Sequence, residues 1–256
     1  MKIVIIGSGN VATHLGRAFQ MAGQNVIQVW SREEENAKTL ADSLGAESCV
    51  SLSDITPEAD LYIIAVKDSF IKEVAKELTL TDQLIVHTSG SSDLDVLNGV
   101  STKTGVFYPL QTFSKGKAVD FRQIPIGVEG NTPEVTQIIR SIGDRLSENV
   151  IELNTENRRK IHIAAVFACN FTNHLWAISK ELLKDTGLTF DLLKPLIAET
   201  AAKIQNNNPI EVQTGPAARN DDEIIQIHQI LLQDNPALSD IYEKLTLSII
   251  NFNKPT

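Results

Sequence analysis

Two rhythms of apolar and polar residues run along this chain. In the first half, short apolar runs alternate with helical patterns. Lys2–Ile6, Asn25–Trp30, Ser48–Val50, Leu61–Ala65, Leu84–His87 and Lys103–Phe107 are predicted as strands, and Asn10–Ala22, Glu33–Leu44 and Ser69–Leu78 as helices. Ile3-Val4-Ile5-Ile6 and the run from Leu61 to Val66 are apolar without interruption, the pattern of strands covered on both faces. Strands of that kind alternating with helices predict a doubly wound parallel sheet. A looser region past Phe107 adds predicted strands near Ile126–Glu129 and Val150–Leu153, with a helix at Pro133–Leu146 between them. From Asn154 onward the pattern is helical: Glu156–Thr186, stopped by Gly187, then Asp191–Asn206, Asp222–Gln233 and Pro236–Asn251, with a loop at Thr214–Asp221. The expected architecture is an α/β Rossmann domain over residues 1–153 followed by an all-helical domain over 154–256.

Composition narrows the class. The 256 residues are 42% hydrophobic and 21% charged, as in ordinary globular proteins, and suffice for two domains. A net charge of −9 argues against a general nucleic-acid or membrane-surface binder. Cys49 and Cys169 lie far apart without metal spacing, so reduced, buried thiols in a cytoplasmic protein are expected. No signal peptide is recognised, and no apolar stretch is expected to reach the ~20 residues of a membrane span.

The candidate chemistry begins at Gly7-Ser8-Gly9-Asn10-Val11-Ala12, between the first strand and the first helix. Gly7 permits a tight turn, Gly9 lets the backbone approach a pyrophosphate, and small Ala12 lets the helix pack on the sheet. The N–H groups opening the helix then face the anion. Gly7, Ser8, Gly9, Asn10 and Val11 are therefore candidate cofactor contacts. A nucleoside site of the methyltransferase kind is the rival reading. The second strand ends Ser31-Arg32 rather than in an acid, which favours NADP over NAD, since a hydroxyl and a guanidinium can grip a 2′-phosphate. Alternatively, Ser31 and Glu34 form a capping box and Arg32 is simply solvated.

Ligands on such sheets sit beyond the carboxyl ends of the strands. Val66 and Lys67 would line the nicotinamide side, with Asp68 or Ser69 capping the next helix. His87-Thr88-Ser89-Gly90-Ser91 follows the fifth strand. His87 is either a proton carrier or a sheet-end histidine with a structural hydrogen bond. Tyr108, Gln111 and Thr112 sit among apolar residues, as pocket walls do; a phenol with a lowered pKa can donate a proton. On the long helix His162, Asn170 and Asn173 share a face, with His162 and Asn170 about 12 Å apart along the axis. Asn170, among Val166, Phe167, Ala168, Cys169 and Phe171, is either a buried pocket residue or a helix–helix contact. Arg219 can bind a substrate carboxylate or pair with Asp221 or Asp222. His228 reads as structural.

Taken together, Gly7–Ala12, His87–Ser91, Pro109-Leu110-Gln111-Thr112-Phe113, His162–Ala165 with Asn170, and Thr214-Gly215-Pro216 with Arg219 and Asp221 resemble a bacterial family of Rossmann-like proteins with a C-terminal helical domain of unknown function. That family is distantly similar to pyrroline-5-carboxylate reductases, ketopantoate reductases and β-hydroxyacid dehydrogenases. The resemblance implies NADPH-dependent reduction of C=N or C=O bonds and a homodimer formed through the helical half. Two departures stand out. Val166 occupies the position where many β-hydroxyacid relatives carry a lysine, one turn before the asparagine. Tyr108 stands where the family tends to show histidine before Pro-Leu-Gln.

The expected function is NADP-dependent hydride transfer to a small imine or carbonyl compound in an interdomain cleft. His87, Tyr108 or water would supply the proton, and Ser89, Asn170 and Arg219 would position the acceptor. The alternative is a non-catalytic NADP(H)-binding sensor.

Overall fold

The computed structural model describes residues 1–252. Eight strands form one sheet: β1 (Lys2–Ile6), β2 (Asn25–Trp30), β3 (Glu47–Cys49), β4 (Leu61–Ile64), β5 (Leu84–His87), β6 (Lys103–Pro109), β7 (Ile126–Gly130) and β8 (Val150–Glu152). Their order is β3-β2-β1-β4-β5-β6-β7-β8. All neighbours are parallel except β6 and β7, which are antiparallel. Their connection carries only a short 3₁₀ turn (Phe121–Gln123) and no crossover helix, the usual link between parallel neighbours. The chain order reverses between β1 and β4, which opens a crevice at their carboxyl ends.

Alternate residues of β1 supply opposite cores. Ile3 and Ile5 pack with Leu15 and Phe19 of α1 (Asn10–Met21), whereas Val4 and Ile6 pack with Ile71 and Val74 of α3 (Asp68–Glu77). This two-sided burial explains the unbroken apolar run; each such side chain contributes about 1.5–3 kcal/mol. Ala12 is fully buried under the first core, where a larger residue would push α1 off the sheet.

Helix α2 (Glu34–Leu44) ends at Gly45, which adopts a left-handed φ of 64°. Thr132 caps α4 (Pro133–Gly143), and Asn154 caps α5 (Thr155–Ala165) by accepting from the Asn157 N–H at 2.8 Å. The predicted unbroken long helix is interrupted by a π-helical turn at Val166–Phe171 before continuing as α6 (Thr172–Leu182). There the Thr172 hydroxyl donates to the Phe167 carbonyl at 3.1 Å.

The sheet ends beside the expected boundary, but the first compact unit runs from Met1 to Leu175 and the second from Trp176 to Thr256. Side-chain bonds between α5 and the sheet explain why the first unit extends past residue 153. The second unit contains α7 (Lys194–Lys203), α8 (Pro216–Arg219), α9 (Asp222–Leu231) and α10 (Pro236–Phe252). Helix α8 occupies part of the expected loop. Within this unit His228 Nδ1 bonds the Tyr242 hydroxyl at 2.9 Å, joining α9 to α10.

The helical stretch Thr155–Leu182, its π-helical turn included, is long and apolar enough to cross a membrane by length and composition only. Its first turns nevertheless carry Arg158, Arg159 and Lys160, and Arg158 is buried in an ion pair with the sheet.

Candidate functional site

The turn leaving β1 can be built only with glycine at its first position. Gly7 has φ 130°, and a Cβ there would lie 2.2 Å from the Ala65 carbonyl oxygen at the end of β4. The Gly7 N–H donates to the Trp30 carbonyl at 2.8 Å, and Ser8 Oγ donates to Ser31 Oγ at 2.8 Å, so the turn is fixed to the end of β2. Gly9 differs. Its φ of −75° suits any residue, and a Cβ there would meet nothing within 4 Å. The fold does not require that glycine; its bare backbone leaves room on the cleft side. No side chain caps α1, whose first N–H groups lack helical acceptors and carry the positive end of the helix dipole. This cradle fits a diphosphate.

A cleft of about 700 Å³ lies over the turn. Its walls include Gly7, Ser8, Gly9, Asn10, Val11, Ser31, Arg32, Val66, Lys67 and Thr88. All nine candidate cofactor contacts therefore surround one space. The Arg32 guanidinium lies 4.3 Å from the centre of the Phe70 ring, a cation–π contact that parks it at the cleft wall. Ser31 is not a helix cap: α2 begins at Glu34, preceded by Glu33, and Ser31 Oγ is engaged by Ser8. Nor does Asp68 or Ser69 cap α3; Lys67 holds that position, and Asp68 Oδ2 accepts from Ser91 Oγ at 2.5 Å.

A smaller cleft of about 140 Å³ opens beyond the carboxyl end of β6, in the same unit. Tyr108 and His162 meet on its wall, with Tyr108 Oη 3.0 Å from His162 Nδ1 and the rings edge to face. Leu110, Gln111, Thr112, Cys169 and Asn170 complete much of the lining. Burial raises the Tyr108 pKa, the Asp68 charge adds to the rise, and Arg158 partly opposes it. The phenol therefore keeps its proton at neutral pH, and the lowering that would make it a readier donor is not met. Gly90 is required beside this pair, because a Cβ there would lie 2.6 Å from His162 Nδ1 and 2.9 Å from Tyr108 Cζ.

Several expected roles change with the observed surroundings. His87 is 0% exposed, and its Nδ1 accepts from the Ser89 N–H at 3.2 Å. Burial, and next the nearby Arg158 charge, push its pKa down to about 4. The ring is neutral near pH 7 and lines neither cleft, so it is a buried sheet-end histidine and not a proton donor to a ligand. Buried Ser89 turns its hydroxyl inward, accepting from the N–H groups of Ser91 and Ser92 at 3.1 and 2.9 Å. It shapes the loop instead of presenting a group to a substrate. Asn170 is exposed within the π-helical turn, contrary to the buried setting expected, and shares the smaller cleft with His162. Arg219 lies in the second unit at the end of α8, exposed and without an ion pair to Asp221 or Asp222 among the described residues. Asp221 instead caps α9. Of the two thiols, Cys49 is half-buried, with its pKa pushed up to about 11 by burial and then by Asp54 and Glu47; Cys169 is exposed, not buried.

The sequence pattern gave no sign of Arg158. This arginine is 0% exposed and pairs with Glu129 of β7 at 2.6 Å. It also donates to the carbonyls of Ser89 and Ser92, while neighbouring Arg159 donates to the Ser91 carbonyl at 2.8 Å. These bonds clamp the post-β5 loop against α5, with Gly90 under the Tyr108–His162 pair. Among the described residues no cluster of His, Cys, Asp or Glu is arranged to hold a metal ion.

Residues 2–90 match the family described as NADP oxidoreductase, coenzyme F420-dependent, and residues 124–249 match a domain of unknown function, DUF2520. A solved structure of a candidate NADP oxidoreductase from Bacteroides fragilis is 41% identical, with 98% of each chain covered and a TM-score of 0.89. An imine reductase from Myxococcus stipitatus in complex with NADP+ shares the fold at 15% identity, with 98% of this chain and 94% of that one covered and a TM-score of 0.65. A pyrroline-5-carboxylate reductase from Corynebacterium melassecola is 27% identical over 164 residues, 56% of this chain and 58% of that enzyme. The match thus spans little more than half of that enzyme's length.

Proposed function

The chain belongs to the NADP oxidoreductase family that carries a C-terminal DUF2520 domain, and from that premise we propose that it is an NADPH-dependent reductase of a small imine or carbonyl compound. The observation that carries the reading is the sharing of one loop by two clefts. Thr88 lines the larger cleft, and Gly90 packs under the Tyr108–His162 pair of the smaller one.

The N–H groups at the start of α1 would hold the diphosphate, and Ser31 with Arg32 would hold the 2′-phosphate. Val66 and Lys67 would flank the nicotinamide. Reduced nicotinamide, when bound, supplies the hydride. Tyr108 Oη donates a hydrogen bond to the nitrogen or oxygen of the acceptor, and its proton goes to that atom as hydride reaches the carbon. His162 Nδ1–H then returns a proton to the Tyr108 phenolate while its Nε2 takes one from water, so the ring ends neutral and solvent supplies the net proton. The raised phenol pKa suits a carbonyl acceptor, because the oxyanion formed is far more basic than a phenolate. Asn170 and Gln111 supply amides that orient the acceptor. One amine or alcohol and one oxidised nicotinamide result per turnover.

The homodimer is part of the same proposal. Ile163 and Phe167 are 59% and 63% exposed on the long helix, and a second copy of the chain would cover them. Light scattering on the purified protein checks the stoichiometry, and a monomer at micromolar concentration would remove this element.

Activity is tested by following NADPH oxidation with a panel of cyclic imines and 2-keto acids, beside calorimetric titration with NADPH and NADH. Turnover of at least one acceptor is expected, with NADPH the tighter cofactor. Binding without turnover across the panel would replace the reductase with a cofactor-binding sensor. Failure to bind any adenine dinucleotide at millimolar levels would end both readings.

A further inference from the structure

A third cleft, of about 380 Å³, lies beside the C-terminal half of α1, where the helix meets the connection from β6 to β7. It shares no lining residue with the two clefts described above. Its floor is apolar, formed by Ala18, Phe121 and Leu146. Phe121 stacks on Phe113 at 6.0 Å, and Phe113 stacks on His14 at 4.8 Å, so a continuous ring stack backs the floor. Two bonds secure that stack to α1: Asn10 Nδ2 donates to the Phe113 carbonyl at 2.8 Å, and His14 Nε2 to the Ser114 carbonyl at 3.0 Å.

Three guanidinium groups line the rim, from Arg17, Arg122 and Arg145. Arg122 is held by Glu148 at 3.0 Å, whereas Arg17 and Arg145 make no ion pair among the described residues. The acid on the wall, Asp120, already accepts from the Arg122 N–H at 3.1 Å and from Gln123 Nε2 at 2.9 Å. In a chain of net charge −9, three arginines around an apolar floor with the local acids engaged make a site of opposite sign to the whole. Its volume falls in the range of small-ligand pockets.

We propose that this cleft binds a small amphipathic anion. A carboxylate or phosphate monoester head sits between Arg17 and Arg145, and a short apolar body lies on Phe121. Charge-assisted bonds from the planar guanidinium forks fix the head, and burial of the body adds affinity without requiring a charged partner.

The test is calorimetric titration of the full-length chain with octanoate and, separately, phenyl phosphate. Wild type is compared with the Arg17→Ala/Arg145→Ala double variant and with Phe121→Ala. Saturable binding of at least one probe is expected. The double variant weakens it about ten-fold or more, with unchanged melting temperature and unchanged NADPH affinity. Phe121→Ala weakens octanoate binding in step with the apolar area lost, and if that variant is unstable the double variant decides alone. Octanoate binding assigns a carboxylate site and phenyl phosphate binding a phosphate site; either supports the proposal. No saturable binding of either probe at millimolar concentration, or binding that survives loss of both arginines, overturns it.

Discussion

The dinucleotide cleft and the Tyr108–His162 cleft lie in one compact unit but are built by different means. The first is made largely of consecutive main chain at strand ends: the Gly7–Val11 turn, Ser31-Arg32 and Val66-Lys67. Its shape follows from local backbone geometry and the order of the sheet. The second joins a strand-end tyrosine to a histidine 54 residues later, across a glycine, beside a loop clamped by a buried arginine. The contrast teaches that the first cleft is shaped by the fold alone, whereas the second depends on one tertiary clamp.

The sharpest way to break that asymmetry is Arg158→Ala. Removing one partner of a buried ion pair costs about 3–5 kcal/mol. The lower end is expected, because Glu129 retains some solvent contact and accepts from the Thr155 N–H at 3.0 Å. Urea unfolding should register the loss. Variant protein that remains folded should bind NADPH within about ten-fold of wild type yet lose turnover, since only the post-β5 loop has lost its clamp. A stability change below about 1 kcal/mol would show that Arg158 does not hold this region together.

His87 gives the next largest effect, through pH. Its folded-state pKa lies below the ordinary value of 6.5, at about 4. The unfolded chain therefore takes up this proton first as pH falls. Stability contributed by the neutral ring is complete above pH 6.5 and is lost as pH drops through the window to about 4, a total of about 3 kcal/mol. His87→Asn should flatten this part of the pH–stability curve. Identical curves for variant and wild type from pH 4 to 7 would mean the ring is not held neutral by burial.

Tyr108→Phe probes the other side of the comparison. It should lower kcat by about 10²-fold, as expected for a lost proton donor, while leaving NADPH affinity intact. Retention of full kcat would take the proton from another source and leave the tyrosine as packing.

How much of this was legible in the sequence follows the same division. Gly7, Gly9 and Ala12 each answer to a local demand of turn, approach or packing, so the cofactor loop could be read residue by residue. The unbroken apolar runs likewise announced a sheet covered on both faces. The antiparallel β6–β7 pair departs from the parallel sheet that the pattern suggests throughout, because pairing direction leaves no mark in the residues of a strand. Tyr108 and His162 each stood out, but nothing local links them. Arg158 was invisible because its partners lie on β7 and the post-β5 loop, and a polar residue in a first helical turn looks solvated. The π-helical turn leaves no periodic signature, so Asn170 was assigned to the face of a straight α-helix. Its apolar neighbours suggested burial, yet Phe167 and Phe171 are themselves exposed.

The smallest expected effect lies back in the dinucleotide cleft, with Arg32. The guanidinium, although exposed, rests on Phe70, so less freedom is lost when it engages a phosphate. A 2′-phosphate offers it a charge-assisted contact that a 2′-hydroxyl does not, and Ser31 stands beside it with its hydroxyl held by Ser8. At this exposed rim the difference is about 1–2 kcal/mol, so Arg32→Ala should weaken NADPH binding about ten-fold and leave NADH binding nearly unchanged. Added salt should narrow the gap in wild type and do little in the variant, because the lost contact is one between exposed charges. Equal losses for both cofactors would mean that Arg32 supports the adenine or the cleft wall, and the preference for the phosphorylated cofactor would then have to come from elsewhere on the rim.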